Sequence, residues 1–385
     1  MSIVGAVLVV ISILIIYYVY DGYGRLLSVL CPAHKINSGR RGDVISSFPD
    51  ISVILAAYNE ELRIASKLED ILSQAYPGNC EIIVVSDGST DHTNHIVQSY
   101  SDKGVRLVRT EGRVGKSLAQ NEAVKIANGK ILILTDTAVE MAPQCLERLV
   151  APFSSSSVGC TTGTLHFKTS AESVVSEEQG QYWSYETKLR RLESCLGILA
   201  VAAGPLMAVK RSLWKPLMNW YGDDCVIPLD VVLSSHSVIQ VDDAIAWDES
   251  YRTVKHEFKA RIRMTVRNWQ GTLSRSELLN PFKHPLYSFA LTSHKLLRWL
   301  SPLWLVSFLL GIGLMYAGGM FSNAFGYTVA FMVLVLLALS LVLLGLGKRL
   351  PGVSVLASFL MVNAAFGIGL VMALYGKRIG AYQNK

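Results

Sequence analysis

No Asp, Glu, Lys or Arg occurs between Ile3 and Tyr20, between Trp299 and Gly347, or between Leu350 and Gly376. A membrane-crossing helix takes about 20 apolar residues, so these runs have room for one, two and one spans respectively. A buried soluble core accounts for one such helix but hardly four, which argues against a wholly soluble chain. No Lys or Arg precedes the first run, only Met1 and Ser2, which argues against a cleaved signal peptide. The basic residues Arg25, Lys35, Arg40 and Arg41 follow it instead. Basic residues mark the cytoplasmic flank, so the first span is expected to stay as an anchor, with the N-terminus outside and the central region inside. Lys348 and Arg349 fit a cytoplasmic loop, and the uncharged stretch Ala317–Tyr327 suits the outer side. Strict alternation then sets Lys377, Arg378 and Lys385 outside, against the same rule, unless the last run is re-entrant.

The six cysteines show no CxxC and no metal-like spacing. In a cytosolic domain they are expected to be reduced, small apolar residues. The net charge of +6 is modest; it suits an anionic membrane face and phosphate-bearing ligands, and nothing points to nucleic acid. Internal repeats and low-complexity tracts are missing. Charges within the apolar runs and paired broken helices are also missing, which disfavours a transporter.

The middle of the chain alternates short apolar runs with polar, helix-favouring stretches. Ile51–Ala57, Glu81–Val85, Val105–Val108 and Lys130–Leu134 read as strands buried on both faces. The stretches 60–74, 91–100 and 116–127 between them read as helices. This alternation predicts a doubly wound α/β fold with a parallel sheet. Beyond about residue 150 the pattern loosens. Strands are predicted at 161–167, 201–210 and 238–241, an amphipathic helix at 177–194 and a basic one at 257–273. Residues 293–299 interleave charged and apolar side chains, as a helix lying along a membrane surface does.

Ligands of open α/β sheets bind at the carboxyl ends of the strands. Three of these ends run into polar clusters: Tyr58-Asn59-Glu60-Glu61, Ser86-Asp87-Gly88-Ser89-Thr90-Asp91 and Thr135-Asp136-Thr137. Asp91 and Thr93 read most simply as helix caps. Asp87, before a glycine, can accept hydrogen bonds from a nucleobase or ribose. Acids gathered in one cleft repel one another unless a cation or ligand offsets them, so three converging ends argue for a shared site.

The ordered set VILAAYNEE, IIVVSDGSTD, GKSLAQNEAV, ILILTD, YWSYETKLRRLES, AAGPLMAVKR, GDDCVIPLDVV and EFKARIRMTVRNWQG, over about residues 50–275, resembles the family 2 glycosyltransferases. That group has the GT-A fold and includes cellulose, chitin and hyaluronan synthases. The flanking apolar runs resemble its membrane-bound branch. The resemblance implies residues 1–22 as a transmembrane helix, 23–49 as a tether and 50–275 as the GT-A domain. Within that domain, 50–140 would be the nucleotide-binding half and 141–275 the acceptor half with the basic helix. An interfacial segment would follow at 276–298, about three transmembrane helices at 299–377 and a tail at 378–385.

The resemblance also implies roles. Tyr58, Glu60 and Asp87 would hold the nucleoside of a nucleotide sugar, expected to be UDP-linked. Gly115 and Lys116, opening a helix, would lie near the diphosphate, where the helix dipole and the ammonium favour anions. Asp136 would bind a divalent cation, Mg2+ or Mn2+, that stabilises the leaving group. The family's second metal-binding acid falls on Ala138, leaving one carboxylate there, with Glu140 as a possible helper. Asp224 would be the catalytic base of an inverting transfer, with Asp223 supporting it. Arg263 is the expected phosphate contact on the basic helix, whose charge equally suits lipid headgroups. The Gln-x-x-Arg-Trp element of processive synthases is missing. Tyr182, Trp183, Glu186 and Gly204 are the acceptor-side residues, although a Tyr and Trp stripe also suits a helix's core face. The implied partners are a nucleotide-sugar donor, a lipid-linked or saccharide acceptor and membrane lipids. A non-catalytic, nucleotide-sugar-binding scaffold subunit is the alternative.

Overall fold

The structure, a computed structural model, describes residues 1–32, 48–168, 174–249, 254–320 and 353–380, together with Gly326, Thr328 and Val335. Eight strands among the described residues form one sheet: β1 (Ile51–Ala57), β2 (Cys80–Ser86), β3 (Val105–Arg109), β4 (Ile131–Thr135), β5 (Glu140–Met141), β6 (Val158–Lys168), β7 (Leu206–Lys210) and β8 (Ser237–Glu249). Their spatial order is β3-β2-β1-β4-β7-β6-β8-β5. The first four in that order run parallel, as the alternating pattern predicts. β7 then enters antiparallel to β4, pairing Leu206 with Thr135. The sheet is therefore mixed: β3, β2, β1 and β4 are parallel, β7 is antiparallel to both β4 and β6, and β6 runs parallel to β8.

Successive side chains along a strand point to opposite faces, and the core divides accordingly. Val53, Leu55, Ile82, Val84, Ile131 and Ile133 pack on one face, with Ile64, Leu68 and Ile71 of the helix Ile64–Leu72. Ile54, Ile83, Val85, Leu132 and Leu134 pack on the other, against Ala119 and Ala123 of the helix Lys116–Ile126. Two alanines four residues apart put the small side of that helix on the sheet. The predicted strands and helices are present with shifted ends, except that strand β7 starts at Leu206 rather than residue 201. The two-residue strand β5 carries too little sequence to be foreseen.

The helices Ser2–Leu30 and Val355–Leu374 are each long and apolar enough to cross a membrane. The first runs through a π turn, Tyr18–Gly22, and on to Leu30, so it reaches into the expected tether. Lys35, Arg40 and Arg41 lie outside the described residues, as does most of the expected third span. Pro285–Trp299 and Ser301–Ala317 form a helix pair bent by 59°, the first half occupying the expected interfacial segment. Gly5 and Gly311 face each other so closely that a Cβ on Gly5 would stand 2.5 Å from the Gly311 carbonyl oxygen, the small-residue packing that lets helices approach. After Leu374 the chain returns to the globular domain. Gln270 Nε2 donates to the Lys377 carbonyl at 3.0 Å, and the Arg378 guanidinium sits 4.2 Å from the Trp220 ring centroid. Lys377 and Arg378 thus share the domain's side, which corrects strict alternation and agrees with the charge rule.

A second correction concerns cysteine. Cys31 and Cys195 are joined as a disulfide, Cα to Cα 6.3 Å. Their helices are brought together by Tyr23, Leu27, Leu189 and Leu192, a contact across 164 residues that no spacing rule reveals. Disulfides persist in oxidising compartments, which pulls against a cytosolic domain.

Denatured in the absence of reductant, the protein is expected to present four thiols, Cys80, Cys145, Cys160 and Cys225, in a thiol titration; six would remove the bridge. Gly129→Ala is expected to destabilise the domain by about 1–3 kcal/mol in chemical denaturation, because its Cβ would lie 2.4 Å from backbone atoms of Ile51 and Ser52.

Candidate active site

Parallel pairing puts the carboxyl ends of β1, β2 and β4 at one edge of the sheet. The loops after β1 and β2 are laced there. Asn59 Oδ1 accepts from the Thr90 N–H at 2.9 Å, and Thr93 Oγ1 accepts from the Glu60 N–H at 2.8 Å. Asp91 accepts from the Thr93 N–H at 3.0 Å, as a cap does. Tyr58 stands at the cleft with the Arg113 guanidinium 3.8 Å from its ring centroid. Arg113 went unnoticed in the sequence because a lone exposed arginine in a glycine loop carries no pattern.

Asp87 is buried, and its carboxylate accepts from the Val114 N–H at 2.6 Å and the Gly115 N–H at 3.0 Å. It fastens the loop that leads into the helix Lys116–Ile126. Gly115 caps that helix at φ 97°, a left-handed conformation that glycine alone adopts without strain. Glu60 is also buried. Burial raises its pKa, while a hydrogen bond from Thr137 partly opposes the rise. It thereby braces the turn that carries Asp136.

Asp223 and Asp224 open the helix Asp223–Leu233, where the helix dipole favours acids. Pro228 lies inside that helix. Having no N–H, it leaves the carbonyl four residues back without its helical donor. That carbonyl belongs to Asp224, and it accepts from the Ala202 N–H instead, at 3.3 Å. The segment before β7 is thereby pinned against the acid pair, and a Cβ on Gly204 would lie 3.2 Å from that of Asp224.

Lys116 ties the two halves together. Its Nζ is 2.7 Å from Asp136 Oδ1 and 3.2 Å from Asp223 Oδ2. Burial works against its charge, but Asp136 and Asp223 outweigh burial and raise its pKa. Gln120 Nε2 also donates to Asp223, at 3.1 Å. Burial opposes ionisation of Asp223, yet Lys116 and Arg267 hold its pKa down. Asp224 moves the other way, up to about 6, through burial and the charge of Asp223. The two adjacent carboxylates thus have their pKa values pushed apart, Asp223 down and Asp224 up.

The basic helix Val254–Leu273 meets this site through Arg267, one turn beyond the expected Arg263. Arg267 Nη2 donates to Ser117 Oγ at 3.1 Å, and its Nε to the Tyr221 carbonyl at 3.1 Å. Arg263 is close enough for its charge to oppose that of Arg267. The missed signal was spacing: Arg267-Asn268-Trp269 is an arginine–tryptophan pair with one residue inserted.

The acceptor-side expectations divide. Gly204 meets the acid pair. Glu186 is turned away into a buried cluster with His294 at 3.0 Å, Lys295 at 2.5 Å and Arg298 at 2.7 Å, which joins its helix to the juxtamembrane one. Trp183 packs on Phe167 with ring centroids 5.4 Å apart, the core alternative for an aromatic stripe. The side chain of Tyr182 lies outside the described residues. A hollow beside Asp224 is lined by Asn268, Thr272, Leu291, Lys295 and Trp299, so Asp224 faces the helix Pro285–Trp299.

The residues do not build a cage for the implied divalent cation. Position 138 is Ala, the Asp136 carboxylate is paired with an ammonium, and Glu140 is engaged by Lys168. Among the described residues no group of three His, Cys, Asp or Glu side chains is placed to hold a metal ion.

The pH profile of kcat/KM should rise with a single ionisation near pH 6, since Asp224 accepts a proton only above its pKa. Arg267→Met removes a charge that favours the Asp224 anion, and is expected to shift that limb to higher pH by up to about one unit. An unmoved limb would place the titrating group elsewhere.

The family described as "Glycosyl transferase family 2" matches residues 52–216. A poly-beta-1,6-N-acetyl-D-glucosamine synthase of Staphylococcus epidermidis is 25% identical over 219 residues, 55% of this chain and 53% of the relative. A beta-monoglucosyldiacylglycerol synthase of Nostoc sp. is 25% identical over 199 residues, 50% of this chain and 42% of the relative. The chain thus spans about half the length of the curated relatives it matches. A mannosyltransferase of Pyrobaculum calidifontis, solved in complex with GDP-Man and Mn2+, shares the fold with a TM-score of 0.68 at 20% identity, covering 96% of this chain and 100% of that one. Residues 52–216 thus match the glycosyl transferase family 2 domain, which is the part of the chain that the likeness covers.

Proposed function

We propose that the chain is an inverting glycosyltransferase. It moves a sugar from a nucleotide sugar, UDP-linked, to a membrane-associated acceptor such as a lipid-linked saccharide, a glycolipid or an exopolysaccharide. The domain works at the inner membrane, held by helices at both ends of the chain; the basic residues after the first helix favour the cytoplasmic face, the Cys31–Cys195 bridge favours an oxidising one, and the thiol titration decides between them.

The observation that carries this reading is the meeting of Asp136, Asp223 and Asp224 around Lys116 at one sheet edge. Tyr58 and the Asp87-fastened loop would receive the nucleoside, and the helix opening at Lys116 the diphosphate. Asp224 takes the proton of the acceptor hydroxyl as that oxygen attacks the anomeric carbon opposite the departing diphosphate. A base with a pKa near 6 sits close to working pH, where general-base catalysis is most effective. The acceptor hydroxyl would reach Asp224 from the side of the helix Pro285–Trp299, whose Leu291, Lys295 and Trp299 line the small hollow there. That placement supports an acceptor held in the membrane. The relatives' activities, a polysaccharide synthase and a glycolipid synthase, bracket the same class.

The test is a donor panel of UDP-glucose, UDP-galactose, UDP-N-acetylglucosamine and GDP-mannose on detergent-solubilised protein, reading released nucleotide. Asp224→Asn is expected to lower kcat by about 10²–10⁴-fold while leaving donor affinity within about twofold. A rate equal to wild type would reject the base and favour the scaffold subunit.

A further inference from the structure

We propose that the ammonium of Lys116 takes the place of the divalent cation at Asp136, so that the leaving diphosphate is stabilised by the chain's own side chains. The proposal rests on the cleft taking a nucleotide sugar. It begins with a charge count. An Asp-x-Asp pair with a bound divalent cation sums to zero, two negative charges against two positive. Here Ala138 removes one carboxylate, and Lys116 stands 2.7 Å from the one that remains. The pair again sums to zero, now with a single positive charge. The count extends to Asp223, 3.2 Å from the same nitrogen, and to Arg267, bonded to the neighbouring Ser117: two acids and two cations again sum to zero, and a dication on Asp136 would leave an excess of positive charge there.

The geometry agrees. Lys116 is the first residue of its helix, so its charge adds to the partial positive charge of the helix start. Asp223 holds the same nitrogen from the other side at 3.2 Å, fixing its position before any ligand arrives. Preorganised positive charge of this kind stabilises a developing anion without reorganisation. Arg267, bonded to Ser117 Oγ at 3.1 Å, brings a second permanent cation to the same turn. Arg113, exposed over Tyr58, brings a third to the loop before it. A monovalent ammonium attracts each phosphate oxygen about half as strongly as a dication at equal distance, and the two arginines would supply the balance.

The test uses the full chain in detergent. Calorimetric titration of UDP and of GDP in EDTA, and again with Mn2+, separates the two levels of the argument. Binding that is the same within about twofold in both conditions supports the proposal. Binding only with Mn2+ overturns it, and no binding of either nucleotide in either condition rejects the nucleotide-sugar cleft itself. Electron paramagnetic resonance of Mn2+ with UDP gives a readout independent of turnover. Wild type should leave the Mn2+ signal that of the Mn2+–UDP solution, whereas stoichiometric loss of that signal on adding protein would overturn the proposal. The double substitution K116M/A138D restores two carboxylates and removes the ammonium; it should bind Mn2+ and release nucleotide only when Mn2+ is present. If that variant does not fold, the calorimetric and resonance measurements on wild type still decide.

Discussion

Three carboxylates from distant segments share one cleft because an ammonium stands between two of them. Lys116, the loop before it and Asp136 come from the first half of the domain, residues 50–140, while Asp223 belongs to the second, residues 141–275. The ion pairs at 2.7 and 3.2 Å therefore hold the two halves of the domain in register as well as balancing charge. Remove that charge and Asp136, Asp223 and Asp224 would repel one another across a partly buried space, where screening by water is weak.

Around this centre, several residues of little chemical promise do the positioning. Asp87 holds the loop that sets the start of the Lys116 helix. Pro228 frees the Asp224 carbonyl to take the Ala202 N–H, and Gly204 has no side chain to keep the acids away. Each works through the backbone. A separate buried cluster, Glu186 with His294, Lys295 and Arg298, joins the helix Pro285–Trp299 to the helix Val174–Cys195 beside the hollow at Asp224. The Cys31–Cys195 bridge lies at the same joint.

The parts of this arrangement that were legible in the sequence are those with local causes. The four parallel strands announce themselves by short apolar runs, and the polar clusters after them mark the ligand edge because parallel strands all end on one side. Gly115-Lys116 and Gly222-Asp223-Asp224 are readable as helix starts. Arg267 was one turn from the residue expected, because a helix repeats its faces every three to four residues and the sequence does not say which face turns to the cleft. Glu186 was misplaced for a related reason: its partners at 294, 295 and 298 are more than a hundred residues away.

By itself the sequence determined the apolar runs, the parallel half of the sheet, the family likeness over residues 52–216 and the alanine at position 138, since each depends on residue type and near neighbours. Only the tertiary structure decided that Lys116 pairs with both Asp136 and Asp223, that Cys31 meets Cys195, and that the chain after Leu374 returns to the domain. Those are contacts between segments far apart in the chain, fixed by how helices pack on the sheet and on one another, and no local pattern encodes them.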